Sequence, residues 1–318
     1  MFQTNPKKLH LQRQIMYKKT LAHRNSFLDF NTKKYKSIFT KKRNCPVCFK
    51  KKYIKIFDKE GGSFVKCSNC TMVYLNPSFT EKSLIKYYSN NTDAQALSYE
   101  GESKFYTRIY NAGIKLIKKY LSGQKQKLLD VGCSSGFFLD IAKKKNFETY
   151  GIELNKKEYD IAKKKHITFN KELNEINLDF KFDIICLWDV FEHILNPHKI
   201  LKTLRSKLKK NGIIFLQIPN SDSLAAKILR EKCNVFDPIE HVNLYNKSTI
   251  EKIAKVNHFK IVKIISIIDE IKVIKNFLNY DDPYYGNFDE SKKIKFLNPS
   301  SVHKNYQGYK LQILLKKN

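Results

Sequence analysis

The chain has 318 residues, 42% hydrophobic and 13% aromatic, which excludes wholesale disorder and suits two domains or one large domain with an appendage. Sixty Lys and Arg against thirty Asp and Glu give a formal charge of +30 and raise nucleic acid as a partner. Only six of the sixty are Arg, whereas phosphate and base recognition enriches the guanidinium, so a bias toward Lys explains the charge as well as a polyanion does.

Residues 1–44 hold twelve Lys or Arg and one acid, Asp29, with no sustained apolar period, as in a flexible basic arm. No 18-residue apolar run and no export leader is evident, so a cytoplasmic chain without a membrane span is expected. Cys45-Pro46-Val47-Cys48 and Cys67-Ser68-Asn69-Cys70 follow, eighteen residues apart. Two such turns close an all-sulfur tetrahedral site, so Cys45, Cys48, Cys67 and Cys70 are expected to hold a structural Zn2+ in a module over 45–75. The seven cysteines are an odd number and point to a reducing compartment, and Cys186 and Cys233 read as small core groups. Over 76–126, Leu84, Ile85 and Tyr88, then Ile109, Ile114, Ile117 and Leu121, recur at helical spacing and predict a helical lid.

From 127 to 318, short β-rich runs alternate with amphipathic helices. Strands are predicted at 127–131, 148–153, 166–169, 182–188, 213–218 and 259–268, and a last one at 308–315 returns antiparallel. Asn155 with Glu158, Asn196-Pro197, and Ser248 with Glu251 mark helix starts, and Gly212 a helix stop. This is an α/β, Rossmann-like, doubly wound mixed sheet of seven strands.

Asp130-Val131-Gly132-Cys133-Ser134-Ser135-Gly136 ends the first of these strands in a GxxxG turn, which fits neither the dinucleotide GxGxxG nor the GxxxxGK phosphate loop. Glu153, at the end of the second strand, can accept ribose hydroxyls, so the pair implies a nucleoside-bearing cofactor. Two Glu-His pairs compete for the role of base. Glu240-His241, on the loop after the fifth strand, ranks ahead of Glu192-His193, and Tyr88 from the lid is placed to position a substrate oxygen.

With LLDVGCSSGFF, YGIELN, FDIICLWDVFEHILNP and LKKNGIIFLQIPN in these places, the sequence resembles the class I S-adenosylmethionine-dependent methyltransferases over about 190 residues from 127 onward. It departs from that family at Ser134, where a middle glycine is usual. The four cysteines, VYLNPSFT and PIEHVNLY resemble the zinc-containing subgroup found among sugar C-methyltransferases. The resemblance implies S-adenosylmethionine as cofactor, with Asp130, Gly132, Cys133 and Gly136 at its methionine end, Glu153 at its ribose, and Trp188 and Asp189 beside the sulfonium. His241, Glu240 and Tyr88 form the expected catalytic set, and the resemblance implies a small polar acceptor such as a nucleotide-sugar or glycan intermediate. An RNA or tRNA methyltransferase gripping phosphates with its arm and zinc module, and a non-catalytic cofactor-binding scaffold, are the alternatives.

Overall fold

The computed structural model describes residues 21–90, 94–121, 123, 125–277 and 297–317. Residues 21–44, expected in the arm, are folded here: a helical segment at 21–26, a hairpin of β1 (Leu28–Asp29) and β2 (Lys34–Tyr35), and β3 (Thr40–Lys41). Phe27 is buried against Phe79 and Tyr87, so apolar packing overrides the segment's charge. Residues 1–20 of the arm lie outside the described residues.

The cysteine segment carries β4 (Tyr53–Lys59), β5 (Gly62–Cys67), β6 (Val73–Leu75) and β7 (Ser78–Phe79). After it come α1 (Glu81–Asn90) and α2 (Ala94–Lys118). In α2, Ile109, Tyr110, Ile114 and Ile117 are buried in one cluster with Leu128, Phe138 and Trp188, so this helix is a core layer of the sheet rather than a free cover.

The large sheet contains β8 (Lys127–Val131), β9 (Glu148–Ile152), β10 (Ile167–Phe169), β11 (Phe182–Trp188), β12 (Leu208–Pro219), β14 (Phe259–Ile267) and β15 (Lys310–Lys317). Its order is β10-β9-β8-β11-β12-β15-β14. The first five strands are parallel, and β15 runs antiparallel to both β12 and β14. The near-continuous apolar runs of β11 and β12 fit central strands covered on both faces by helices. Those helices include α3 (Phe137–Lys143), α4 (Lys156–Ala162), α5 (Pro197–Lys207) and, after a shorter helix α6 (Leu224–Leu229), α7 (Lys247–Val256).

Two helix boundaries differ from expectation. Helix α5 stops at Lys207, not Gly212, because buried Leu208 already belongs to β12. A register shift in the β11–β12 pairing follows, and a Cβ on Gly212 would sit 2.7 Å from Leu208 Cγ. Helix α7 is capped by Asn246, which with Thr249 forms a reciprocal capping box in place of Ser248 and Glu251. Asn155 and Asn196 cap α4 and α5 as read from the sequence.

A strand from the C-terminal half completes the cysteine sheet. β13 (Asn243–Leu244) pairs antiparallel with β6, giving the order β13-β6-β5-β4. Cys45, Val47, Val65, Met72 and Tyr74 share one core with Leu129, Ile185, Leu216 and Ile250. Among the described residues no helix is long and apolar enough to cross a membrane.

Candidate active site

At the carboxyl end of β8, Gly132, Ser134 and Gly136 all take left-handed backbone, with φ of 75°, 49° and 87°. A Cβ on Gly132 would come within 2.7 Å of Val190 Cγ2, and one on Gly136 within 2.9 Å of His166 Cδ2, so both positions require glycine. Ser134 adopts a conformation that costs a side-chain-bearing residue about 1–2 kcal/mol. Two bonds to buried carboxylates offset this: its N–H donates to Glu153 Oε2 and its hydroxyl to Glu158 Oε2, both at 2.8 Å.

Glu153 also accepts the Asn155 amide at 2.7 Å, and burial raises its carboxyl above the ordinary range. A carboxylate offers about four lone-pair sites, so acceptor capacity for ribose hydroxyls remains. Asp130, pushed well up by burial and then by the charge of Glu153, keeps a buried Oδ1 without a hydrogen bond among the described residues. Two side-chain-free approaches, an unpaired carboxylate oxygen and a half-used carboxylate fit an adenosyl cofactor carrying a cationic amino-acid tail. Cys133 and Trp188 face elsewhere. The Cys133 thiol packs onto Gly151, and the Trp188 ring is buried among Tyr110, Phe138 and Phe215.

Beyond β11, Asp189 at φ 53° turns the chain across the ends of the neighbouring strands. Its Oδ2 accepts Gln217 Nε2 at 3.0 Å and Lys310 Nζ at 2.5 Å, and Gln312 Nε2 donates to Gln217 Oε1 at 2.9 Å. The antiparallel course of β15 brings Lys310 here, opposite Pro219 at the end of β12.

The two Glu-His pairs that compete in the sequence meet in space. Tyr88 Oη and His193 Nδ1 are 2.8 Å apart, and the His193 and His241 rings lie 5.3 Å apart at 80°. The nearest ligand atoms of Glu192, His193 and His241 all lie within 4.8 Å of one another. Burial, then neighbouring His241, pushes His193 down to about 4, and burial lowers His241, so both imidazoles are neutral at pH 7. Glu240 does not point into this group: its Oε1 accepts Tyr87 Oη at 2.7 Å and Arg24 Nη2 at 3.3 Å.

Three residues absent from the sequence reading organise these loops. Asp237 Oδ1 accepts the amides of Ile239 and Glu240 at 2.9 and 2.8 Å, and Asp237 takes a two-pronged contact from Arg24 at 2.7 and 3.2 Å. Arg43 donates to the carbonyls of Leu75, Leu195 and Val242 and to Asn243 Oδ1, joining the cysteine sheet to the His193 and His241 loops. The available signal was the rarity of Arg in a Lys-rich chain, since a fixed five-donor fork does what an ammonium cannot.

The two CxxC turns have the same backbone pattern. Cys45 N–H bonds to Lys50 O and Phe49 N–H to Cys45 O, while Cys67 N–H bonds to Met72 O and Thr71 N–H to Cys67 O. Phe49 and Thr71 are both left-handed. The sulfurs of Cys45 and Cys70 are 3.4 Å apart and those of Cys48 and Cys67 3.5 Å, beyond a disulfide at about 2.05 Å and near the edge of about 3.8 Å that Zn–S bonds of about 2.3 Å define in a tetrahedron. The four residues fit a zinc ion.

A family described as "Methyltransferase domain" matches residues 105–264, which is 160 of the 318 residues. The ubiquinone biosynthesis O-methyltransferase of Pelagibacter ubique is 29% identical over 106 residues, 30% of this chain and 42% of that protein. The carboxy-S-adenosyl-L-methionine synthase of Nautilia profundicola is 34% identical over 122 residues, 35% of this chain and 52% of that protein. The chain thus spans about half the length of the curated relatives it matches. The plantazolicin methyltransferase BpumL, solved with a desmethyl substrate analogue and SAH, superposes with a TM-score of 0.50 at 18% identity, covering 74% of this chain and 95% of that one, a likeness of fold.

Proposed function

From the premise that the chain belongs to the methyltransferase domain family, we propose that it transfers a methyl group from S-adenosylmethionine to a small polar acceptor. The observation that carries this reading is the convergence of Tyr88, His193 and His241, with His193 three residues past Val190, whose side chain packs against Gly132 of the glycine turn. The cofactor supplies an activated methyl on a sulfonium. Asp130, Gly132 and Gly136 would hold its methionine end and Glu153 its ribose; Cys133 would contribute backbone, and Trp188, packed on Tyr110, Phe138 and Phe215, would support the strand end from within the core. Asp189 and Lys310 form a polar floor that orients the acceptor.

The acceptor loses its proton beside the imidazoles of His193 and His241, a new bond to the methyl carbon forms as the S–CH3 bond breaks, and the sulfonium charge is neutralised. Tyr88 positions the acceptor, and Glu240, tied to Arg24 and Tyr87, fixes the loop that bears His241. Helix α1, which carries Tyr88, serves as the lid. Cys45, Cys48, Cys67 and Cys70 hold a structural zinc that fixes β6 and, through it, β13.

A hydroxyl-rich acceptor such as a sugar or glycan intermediate suits the polar floor and the sequence resemblance. The relative named for ubiquinone biosynthesis supports an oxygen on a ring as the second reading. A nucleic-acid acceptor is less well supported, because Arg24 and Arg43, two of the six arginines, are spent on internal bonds. Incubation with methyl-labelled cofactor and a host extract tests the reading. Label in a water-soluble small molecule supports a sugar-like acceptor, label in the solvent-extractable fraction the ring acceptor, and cofactor binding with no labelled product would leave a scaffold.

A further inference from the structure

Glu192 poses a problem that the methyl-transfer reading does not solve. Its side chain is 0% exposed, yet neither carboxylate oxygen has a hydrogen bond to any other described residue. A carboxyl group without partners carries its full desolvation penalty, and such groups in native interiors mark a missing ligand, ion or water. Its surroundings are metal ligands by type. His193 Nε2 lies 3.8 Å from Glu192 Oε1, and His241 completes a set within 4.8 Å.

Both imidazoles are engaged on their other nitrogen, which fixes ring orientation. His241 Nδ1 donates to Val235 O at 2.7 Å, leaving Nε2 with its lone pair free, and His193 Nδ1 faces Tyr88 Oη at 2.8 Å. Metal-binding histidines are oriented in this way, by a carbonyl or similar partner behind the ring. A second orphan lies close by: Asp189 Oδ1 is buried without a hydrogen bond, and the charge of Asp189 acts on Glu192, His193 and His241 alike.

We propose that Glu192, His193 and His241 form a second metal site, distinct from the four cysteines, that binds one divalent first-row cation through two imidazole nitrogens and a carboxylate. Ligand bonds of about 2.0–2.2 Å require ligand atoms roughly 3–4 Å apart, so the Glu192–His193 pair at 3.8 Å is already in range, and His241, within 4.8 Å, closes on the ion by a small approach of its loop with its ring orientation kept. Three protein ligands leave coordination positions open, as in catalytic rather than structural sites. An acceptor oxygen bound at such a position would lose its proton more readily, so with the ion present the cation, and not the two imidazoles whose lone pairs it occupies, would activate the acceptor. The proposal concerns side chains that the methyl-transfer reading also uses but does not rest on it, since the ion binds without cofactor or acceptor.

Cobalt(II) is the probe, added to protein whose four cysteines are already loaded with zinc. The expected result is one Co2+ per chain with weak visible d–d bands and no thiolate charge-transfer band, while the zinc content stays constant. Glu192→Gln and His241→Ala should each weaken Co2+ binding at least tenfold, and Tyr88→Phe, which acts behind His193, by a smaller factor. Retained zinc certifies that each variant is folded. Absence of uptake, a thiolate band alone, or equal uptake in Glu192→Gln and His241→Ala would each overturn the proposal. None of these outcomes touches the assay for labelled product.

Discussion

At the scale of single residues, the glycine turn is the most constrained part of the site. Gly136→Ala must hold a Cβ at φ 87° and 2.9 Å from His166, so it should cost about 2–4 kcal/mol in chemical denaturation and abolish cofactor binding measured by calorimetry. His166, 1% exposed at its side chain and 3.1 Å from Asp140, has its pKa lowered by burial. A histidine held below its unfolded value of about 6.5 binds fewer protons when folded. Its stabilising share is therefore complete above pH 6.5 and shrinks as the pH falls from there, and His166→Gln should flatten the profile of melting temperature between pH 7 and 5. For turnover, His241→Ala should lower kcat about 10²–10⁴-fold while leaving cofactor affinity near its original value. Unchanged kcat would remove His241 from the chemistry. The sequence made Gly132, Gly136, Glu153 and His241 legible because each stands in a local pattern of strand, turn and spacing. It hid Arg24 and Arg43, whose partners Asp237 and Asn243 lie 213 and 200 residues away, because no local pattern records such pairings. The choice between the two Glu-His pairs was hidden for the same reason: only the packed loops reveal that the two histidine rings meet.

At the scale of elements, the strands of the large sheet could be read to within a few residues, since buried parallel strands are unbroken apolar runs. The end of α5 could not, because Lys207-Leu208-Lys209-Lys210-Asn211-Gly212 continues a helical spacing and only pairing across β11 and β12 decides that Leu208 is extended. The cysteine sheet shows the same limit. Its third neighbour, β13, is two residues long and carries no strand signature of its own. Cys45→Ser, or removal of metal by a strong chelator, should strip zinc and destabilise by several kcal/mol, lowering Tm by about 10 °C or more. The loss should appear as one transition for the whole described fold, because Cys45, Cys67 and Tyr74 are packed in the core that also holds β8, β11 and β12. Two separate transitions would instead mark the cysteine segment as an independent unit.

At the scale of the molecule, the basic stretch before Cys45 reads in the sequence as a flexible arm, and its described part is a fastening. Arg24 clamps the loop of Asp237 and Glu240, and Arg43 ties the loops of His193 and His241 to β6. Deleting residues 1–44 should therefore reduce methyl transfer by tenfold or more even where zinc is retained, and Arg43→Lys should recover little, since an ammonium cannot span four acceptors. Full activity in the deletion would return the segment to the status of a flexible arm.

The pairing of Val73 with Leu244 joins positions 171 residues apart. During synthesis from the amino end, the two cysteine turns leave the ribosome long before the strand that closes their sheet exists. They must wait with an open hydrogen-bonding edge while the intervening residues are translated, so completion of the cysteine sheet is tied to a late, long-range closure. Nascent chains halted short of residue 243 should accordingly be far more sensitive to protease around 45–79 than chains released whole.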